Sequence, residues 1–168
     1  MGIKYNDISY SQWIIKIEDV KENGLNDEKF ESLINEYPRK LDVRSTGQLF
    51  NQVAFLEKHL LKSAFRKFEN CINEAICEND IEIIEIAISR LMNNLSKCLF
   101  FKYMDCLSVD SKKRLQDDIY SNVSQFQNNI ESFVKRASIE CGGYFMQDIL
   151  YLLQKKNIKS SILEMGVL

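Results

Sequence analysis

The sequence is poor in residues that interrupt helices and in residues that build catalytic sites. Its 168 residues include six glycines, one proline and one histidine. Sheet proteins of this size need many turns, whereas long helices need few breakers, so the shortage of glycine and proline favours helices. The single histidine, His59, shares its helical face with mostly polar residues. We therefore predict an exposed or hydrogen-bonded His59, no catalytic triad and no bound metal or cofactor.

Signals for export or membrane insertion are also missing. The N-terminal stretch MGIKYNDISYSQW has no basic start, apolar core or small-residue cleavage site, which argues against a secretory signal. No apolar run approaches the ~20 residues that a membrane span requires. Five cysteines without an export signal indicate reduced thiols. We expect a cytoplasmic protein with no membrane span.

The chain carries no excess of basic charge. Its 22 lysines and arginines are balanced by 24 aspartates and glutamates, and the basic clusters are short and close to acids. A nucleic-acid-binding protein normally concentrates cationic side chains on one face. The composition therefore argues against a nucleic-acid partner. Hydrophobic residues at 45% and charged residues at 27% are typical of a globular domain.

Apolar residues recur at helical spacing along most of the chain. The predicted elements are two short helices within 1–44, long helices over 45–78, 80–105 and 109–141, and a C-terminal helix over 143–156. The third long helix has the most regular stripe, which consists of Leu115, Ile119, Val123, Phe126, Ile130, Phe133 and Ala137. Amphipathic helices joined by short breaks bury their stripes by packing together. We predict one all-α domain over residues 1–168, an antiparallel bundle of three long helices with shorter terminal helices.

One stretch, ENCINEAICENDIEIIEIA from Glu69 to Ala87, combines two cysteines with six carboxylates. On a helix Cys71 and Cys77 point to different faces, and the close cysteine pairs of structural zinc sites are missing. We interpret the stretch as a helix-to-helix corner with an acidic rim that attracts a basic partner. The candidates for a reactive thiol are the cysteines near helix ends, Cys77, Cys106 and Cys141.

A second polar segment lies on the third long helix. Asp117, Ser121 and Gln125 are spaced four residues apart and resemble the helical metal-binding motif of class I terpene synthases. The resemblance implies three metal ligands on one face, but Gln125 stands where those enzymes have glutamate, and their second aspartate-rich motif is missing. We interpret the match as a chance arrangement on a polar helix face. Burial of Asp117, Ser121 and Glu131 together would indicate chemistry, and their exposure would exclude it.

The functional hypothesis depends on the surface of the bundle. The predicted partner-binding residues are aromatic, acidic and tail positions, namely Tyr10, Trp13, Glu78, Glu82, Glu85, Ile162 and Leu163. We expect a non-enzymatic helical bundle that binds another protein, as an inhibitor or immunity-type protein or as a small regulatory adaptor. One alternative is a structural homo-oligomer that pairs the 115–137 stripe between chains. The other is a small-molecule-binding or enzymatic bundle with a buried polar site.

Overall fold

A computed structural model describes residues 6–141 and 146–155 of the chain. The elements in chain order are β1 (Asn6–Asp7), α1 (Tyr10–Asn23), α2 (Asp27–Asn35), β2 (Glu36–Tyr37), α3 (Val43–Glu78), α4 (Ile81–Lys97), a 3₁₀ helix (Phe100–Tyr103), α5 (Val109–Cys141) and α6 (Met146–Lys155). Helices dominate, which confirms the predicted all-α class. The two strands form a parallel ladder of two residues each. Among the helices of the described residues, none offers the apolar length that crossing a bilayer requires.

The two longest helices are α3 and α5, with 36 and 33 residues. At ~1.5 Å per residue they extend about 54 and about 50 Å. The start of α3 at Val43 precedes the predicted start at residue 45. The carboxylate of Asp42 accepts a hydrogen bond of 2.7 Å from the N–H of Ser45. Asp42 is therefore the N-cap, and the helix begins directly after it.

The second long helix is shorter than predicted, because α4 ends at Lys97 rather than at residue 105. Cys98 to Phe101 are four consecutive buried residues. An α-helix directs four consecutive side chains to all sides of its axis, so an amphipathic helix with one side facing solvent would expose part of this run. A tighter 3₁₀ helix from Phe100 to Tyr103 turns the chain at this point instead.

The chain divides into two compact units. The described part of unit 1 comprises residues 6–60 and 97–117, and that of unit 2 comprises residues 61–96, 118–141 and 146–155. The first part of α3 and the start of α5 belong to unit 1, and their remainders belong to unit 2. The predicted single domain over 1–168 stays a prediction.

Unit 1 packs short elements around a core that contains aromatic side chains. Trp13 of α1 is fully buried. Other buried residues of this unit are Ile17, Val20, Leu33, Leu49, Val53, Leu56, Phe100 and Phe101. Tyr37 is also buried, and its hydroxyl donates a hydrogen bond to the carbonyl oxygen of Tyr103 (3.0 Å) and accepts one from the N–H of Asp105 (3.1 Å). This side chain therefore satisfies two backbone groups at the end of the 3₁₀ helix.

Unit 2 is built from helical segments with regular apolar stripes. The ring of Phe65 stacks on that of Phe126 with a centroid distance of 4.1 Å, and Phe68 meets Phe126 edge-on at 5.8 Å. Farther along α3, Asn73 lines a small cleft together with Phe133 of α5. The contacts advance in the same direction on both helices, so α3 and α5 run parallel in this unit. Since a two-residue corner joins α4 to α3, α4 runs antiparallel to α3.

The predicted stripe of α5 is buried within its own chain. Its buried members are Leu115, Ile119, Val123, Phe126, Ile130 and Ala137. Val134 takes the inner position that was predicted for Phe133, which is half-buried. Because these side chains already pack inside the chain, the stripe offers no surface for pairing two copies. The homo-oligomer alternative was based on pairing this stripe between chains, and the buried stripe does not support it.

Candidate functional site

The helices α3 and α4 meet at a tight corner. The N–H of Asp80 donates to the carbonyl oxygen of Ala75 (3.0 Å), and the N–H of Asn79 donates to that of Ile76 (3.3 Å). Asn79 has a φ of 57°, the left-handed conformation that completes a Schellman motif. The carboxylate of Asp80 then accepts the N–H of Glu82 at 3.0 Å and caps α4. The stretch from 69 to 87 is therefore a helix-to-helix corner, as its sequence indicates.

Exposed acids and one exposed apolar side chain lie at this corner. Glu78 is the last residue of α3, and Glu82 and Glu85 lie in the first two turns of α4; all three are exposed. Ile86 is 51% exposed. Helical periodicity places it on the same side of α4 as Glu82 and Glu85. We call Glu78, Glu82, Glu85 and Ile86 the corner face.

The charge of the corner face is not neutralised by the described part of the chain. None of its three glutamates forms an ion pair with a described residue. Residues 69–90 contain six carboxylates and a single cationic side chain, Arg90. In unit 1, by contrast, the ion pairs among described residues are Lys16–Glu36, Lys21–Glu18, Lys29–Asp19, Arg39–Asp105 and Lys97–Asp27. The corner face therefore keeps a negative potential that a basic surface can complement.

The other predicted partner-binding residues do not join the corner face. Trp13 is 0% exposed, so it belongs to the core of unit 1 and offers no surface to a partner. This placement corrects the prediction for Trp13, whose periodicity on α1 with Ile17 and Val20 gave the signal for burial. Tyr10 is half-buried, and its ring centroid lies 6.3 Å from that of Trp13. Ile162 and Leu163 lie outside the described residues.

The cysteines differ from one another in state. Cys71, Cys98 and Cys106 are free, whereas Cys77 is disulfide-bonded. The expectation that all thiols are reduced is therefore contradicted at Cys77. The side chain of Cys141, the third candidate for a reactive thiol, lies outside the described part.

Cys106 has an environment that disfavours reactivity. Burial raises the pKa of its thiol to about 11, with the charge of Asp105 adding to the rise and the charge of Lys112 opposing it. The thiolate is the nucleophilic form of cysteine. At neutral pH the Cys106 thiol is therefore protonated, which argues against the predicted reactive role.

The polar residues of α5 on which catalysis depended are all on the surface. Asp117, Ser121 and Glu131 are exposed, and so is Gln125 of the terpene-synthase-like motif. Within the ranges that the structure describes, no three metal-ligating side chains come together. Asp117, Ser121 and Glu131 therefore do not form the buried polar cluster that would have indicated chemistry.

His59 is exposed and lies on α3 in unit 1. Its Nε2 is 3.1 Å from the backbone carbonyl oxygen of Lys21. A carbonyl oxygen only accepts, so this geometry assigns the proton to Nε2. His59 is thus both exposed and hydrogen-bonded, as predicted.

Glu57 is a buried acid that the sequence reading missed. It is 0% exposed in unit 1. Its position, four residues after Val53 and four before Leu61, places it on the buried face of α3, and this spacing was the signal that could have found it. After the effect of burial, the charge of Glu57 further raises the pKa of the Cys98 thiol above its usual range. Glu57 is thus the one charged residue among the described buried residues, in the same unit as the buried Cys98.

Comparison of the chain with protein-family models, curated proteins and solved structures finds no match. Function is therefore inferred from the residues of this chain alone.

Proposed function

We propose that this protein is a non-enzymatic helical bundle that binds a basic surface of another protein through the corner face. The observation that carries the proposal is the exposure of Glu82 and Glu85 on the same side of α4 as the exposed Ile86, with Glu78 exposed at the adjoining end of α3. Interfaces commonly surround an apolar contact with polar groups. The corner face has this composition.

The charge distribution supports a basic partner. The three glutamates make no ion pair with the described residues, so a partner's lysines or arginines would meet uncompensated charge. Complementary charges steer encounter and fix orientation more than they add affinity. The Schellman turn at Asn79 and the Asp80 cap hold the ends of both helices in a defined geometry. A preformed surface of this kind loses little conformational entropy on binding.

Within this class we propose a protein that blocks its partner, as an inhibitor or immunity-type protein does, or a small regulatory adaptor. The two roles are separated by the activity of the partner. An inhibitor lowers the partner's own activity at stoichiometric concentration, whereas an adaptor leaves that activity unchanged and links the partner to a third protein.

The proposal also includes a cytoplasmic location. Cytosolic thiol systems keep most cysteines reduced. The structure has Cys77 disulfide-bonded, whereas in the cytosol we expect it as a free thiol. Alkylation of freshly lysed cells followed by peptide mass spectrometry measures the state of Cys77. A predominantly oxidised Cys77 in those cells would overturn the cytoplasmic location and leave the binding proposal standing.

The binding test compares three tagged proteins in affinity purification from native cells. The first is the wild type, and the second carries Glu78→Gln, Glu82→Gln and Glu85→Gln. The matched control carries Glu22→Gln, Glu28→Gln and Glu31→Gln, which remove three exposed glutamates from unit 1. Both variants change the net charge equally, so only the position of the lost charge differs.

We expect a stoichiometric partner with the wild type and with the control. The corner-face variant should bind that partner at least about tenfold more weakly, with most of the loss in the association rate. Its free energy of unfolding should stay within about 0.5 kcal/mol of the wild type, because surface substitutions rarely do more. Equal recovery of the partner with all three proteins would refute the role of the corner face.

A further inference from the structure

An apolar groove of about 240 Å³ lies between α3 and α4 in unit 2. Its apolar lining consists of Ala64, Phe68, Cys71, Ala87 and Leu91. Alanine and cysteine are short, so their positions on the two facing helices leave space that the larger Phe68 and Leu91 do not fill. The groove shares no residue with the corner face, but Arg90 at its border also lines a surface pocket with Glu85 and Ile86 of that face.

Two cationic side chains border this groove. Lys67 on α3 and Arg90 on α4 both line it, and both are exposed. Neither forms an ion pair with a carboxylate of the described residues. The residues three and four positions away on their own helices are Ser63, Ala64, Asn70 and Cys71 for Lys67, and Ile86, Ala87, Asn93 and Asn94 for Arg90. None of them is acidic, so no carboxylate one helical turn away compensates either cation.

We propose that this groove binds a small amphipathic carboxylate, with its apolar body against Phe68 and Leu91 and its carboxylate between Lys67 and Arg90. The guanidinium of Arg90 can hold a carboxylate through two parallel N–H···O bonds, and Lys67 adds a point charge. Small-molecule sites typically combine an apolar lining with a few placed polar groups. The volume suits a compact ligand rather than a peptide helix. This binding activity goes beyond the proposed protein interaction and does not depend on it.

Cys71 provides a built-in reporter of occupancy. It is a free thiol, half-buried, and it lines the groove. A ligand in the groove should shield its sulfur from an alkylating reagent. Cys106 is also free and half-buried but belongs to unit 1. Its alkylation is slower because burial raises the pKa of its thiol. Followed over a longer reaction time, it is the internal control for effects of the ligand on the reagent or on the whole chain.

The experiment measures alkylation of the full chain by iodoacetamide, resolved by peptide mass spectrometry, with octanoate as the probe. Acetate supplies the carboxylate without the apolar body, and octan-1-ol supplies the body without the charge. We expect octanoate to slow alkylation of Cys71 severalfold and to leave alkylation of Cys106 unchanged. Acetate and octan-1-ol at the same concentration should leave the alkylation rates of both cysteines unchanged. Equal protection by octan-1-ol, or no protection by octanoate, would overturn the proposal.

Single substitutions then test the two cations. Lys67→Gln and Arg90→Gln should each raise the octanoate concentration for half protection by about fivefold, the effect of one lost charged contact. The matched control is Lys62→Gln, which removes an exposed cation of α3 that does not line the groove. In each variant, the alkylation rate of Cys71 with octanoate is divided by the rate without octanoate. This ratio removes any direct effect of the substitution on the reactivity of Cys71. If Lys62→Gln raised the octanoate concentration for half protection equally, the effect would come from the overall charge of the protein, and the proposed binding site would be contradicted.

Anionic lipid offers the same chemistry from a second source. Phosphatidylglycerol vesicles are therefore included as a separate arm. Protection of Cys71 by vesicles without protection by free octanoate would identify a membrane contact and reject the small-ligand site.

Discussion

Unit 1 closes its core with side chains from α1, α2, β2, the 3₁₀ helix and α3, whereas unit 2 buries the stripes of a few helical segments. The polar contacts follow the same division. In unit 1, four ion pairs and the two Tyr37 hydrogen bonds link different segments of the chain, while among the described residues of unit 2 the ion pair is Lys135–Glu131 within one helix. Irregular elements leave backbone groups that need side-chain partners, and continuous helices satisfy their own. Among the described acids of unit 2, Glu78, Glu82 and Glu85 are exposed and form no ion pair with a described residue.

The largest expected effect tests how far unit 1 depends on one aromatic side chain. Trp13→Ala should lower the free energy of unfolding by about 3–5 kcal/mol, because it leaves a large cavity in a buried core. Urea denaturation followed by far-UV circular dichroism measures the change, since the substitution removes the only tryptophan. The control is Tyr10→Ala on the same helix, where the side chain is half-buried. A similar loss in both variants would contradict the central place of Trp13.

A smaller effect is expected from the polar link that closes unit 1. Tyr37→Phe keeps the ring but removes the hydroxyl that serves Tyr103 and Asp105. The loss in unfolding free energy should be about 1–3 kcal/mol, the cost of leaving backbone groups without their partner. Tyr103→Phe removes a hydroxyl from a side chain that is 48% exposed and serves as the control. If both variants were equally stable, the hydroxyl of Tyr37 would have no structural role.

The smallest effect concerns the corner in unit 2. Asn79 has a φ of 57°, a conformation that costs a residue with a Cβ about 1 kcal/mol or more. Asn79→Ala should therefore be less stable than Asn79→Gly by about 1 kcal/mol, since glycine adopts this conformation freely. Thermal and urea unfolding of the two variants measure the difference. Equal stability would show that the left-handed corner is not maintained in solution.

The same division explains what the sequence predicts. The 3.6-residue periodicity of α3 and α5 is set by local burial, so the stripe from Leu115 to Ala137 could be read directly from the residues. The end of α4 at Lys97 could not be predicted from the local pattern. It depends on the burial of Cys98 to Phe101 in a core that residues distant in sequence complete. The two-residue ladder of β1 and β2 depends on pairing across thirty residues, which a local pattern does not encode.

The candidate surfaces were predictable to different degrees for related reasons. Exposure of Glu78, Glu82 and Glu85 agrees with the acidic rim that the sequence predicts at the helix-to-helix corner. Burial of Glu57 was not predicted, because glutamate is normally exposed, although its helical spacing from Val53 and Leu61 indicates the buried face. The groove between α3 and α4 depends on which short side chains face each other, and a single helix pattern does not contain that information.

The Tyr37 hydroxyl has a further consequence for the order of folding. Its hydrogen bonds connect residues that are 66 and 68 positions apart, and unit 1 consists of two segments separated by residues 61–96. Closing a loop of this length costs more chain entropy than forming the α3–α4 corner, whose partners are neighbours in sequence. We therefore expect that, during synthesis on the ribosome, the core of unit 1 stays incomplete until residues 97–117 have emerged. The helical hairpin made in between can form first.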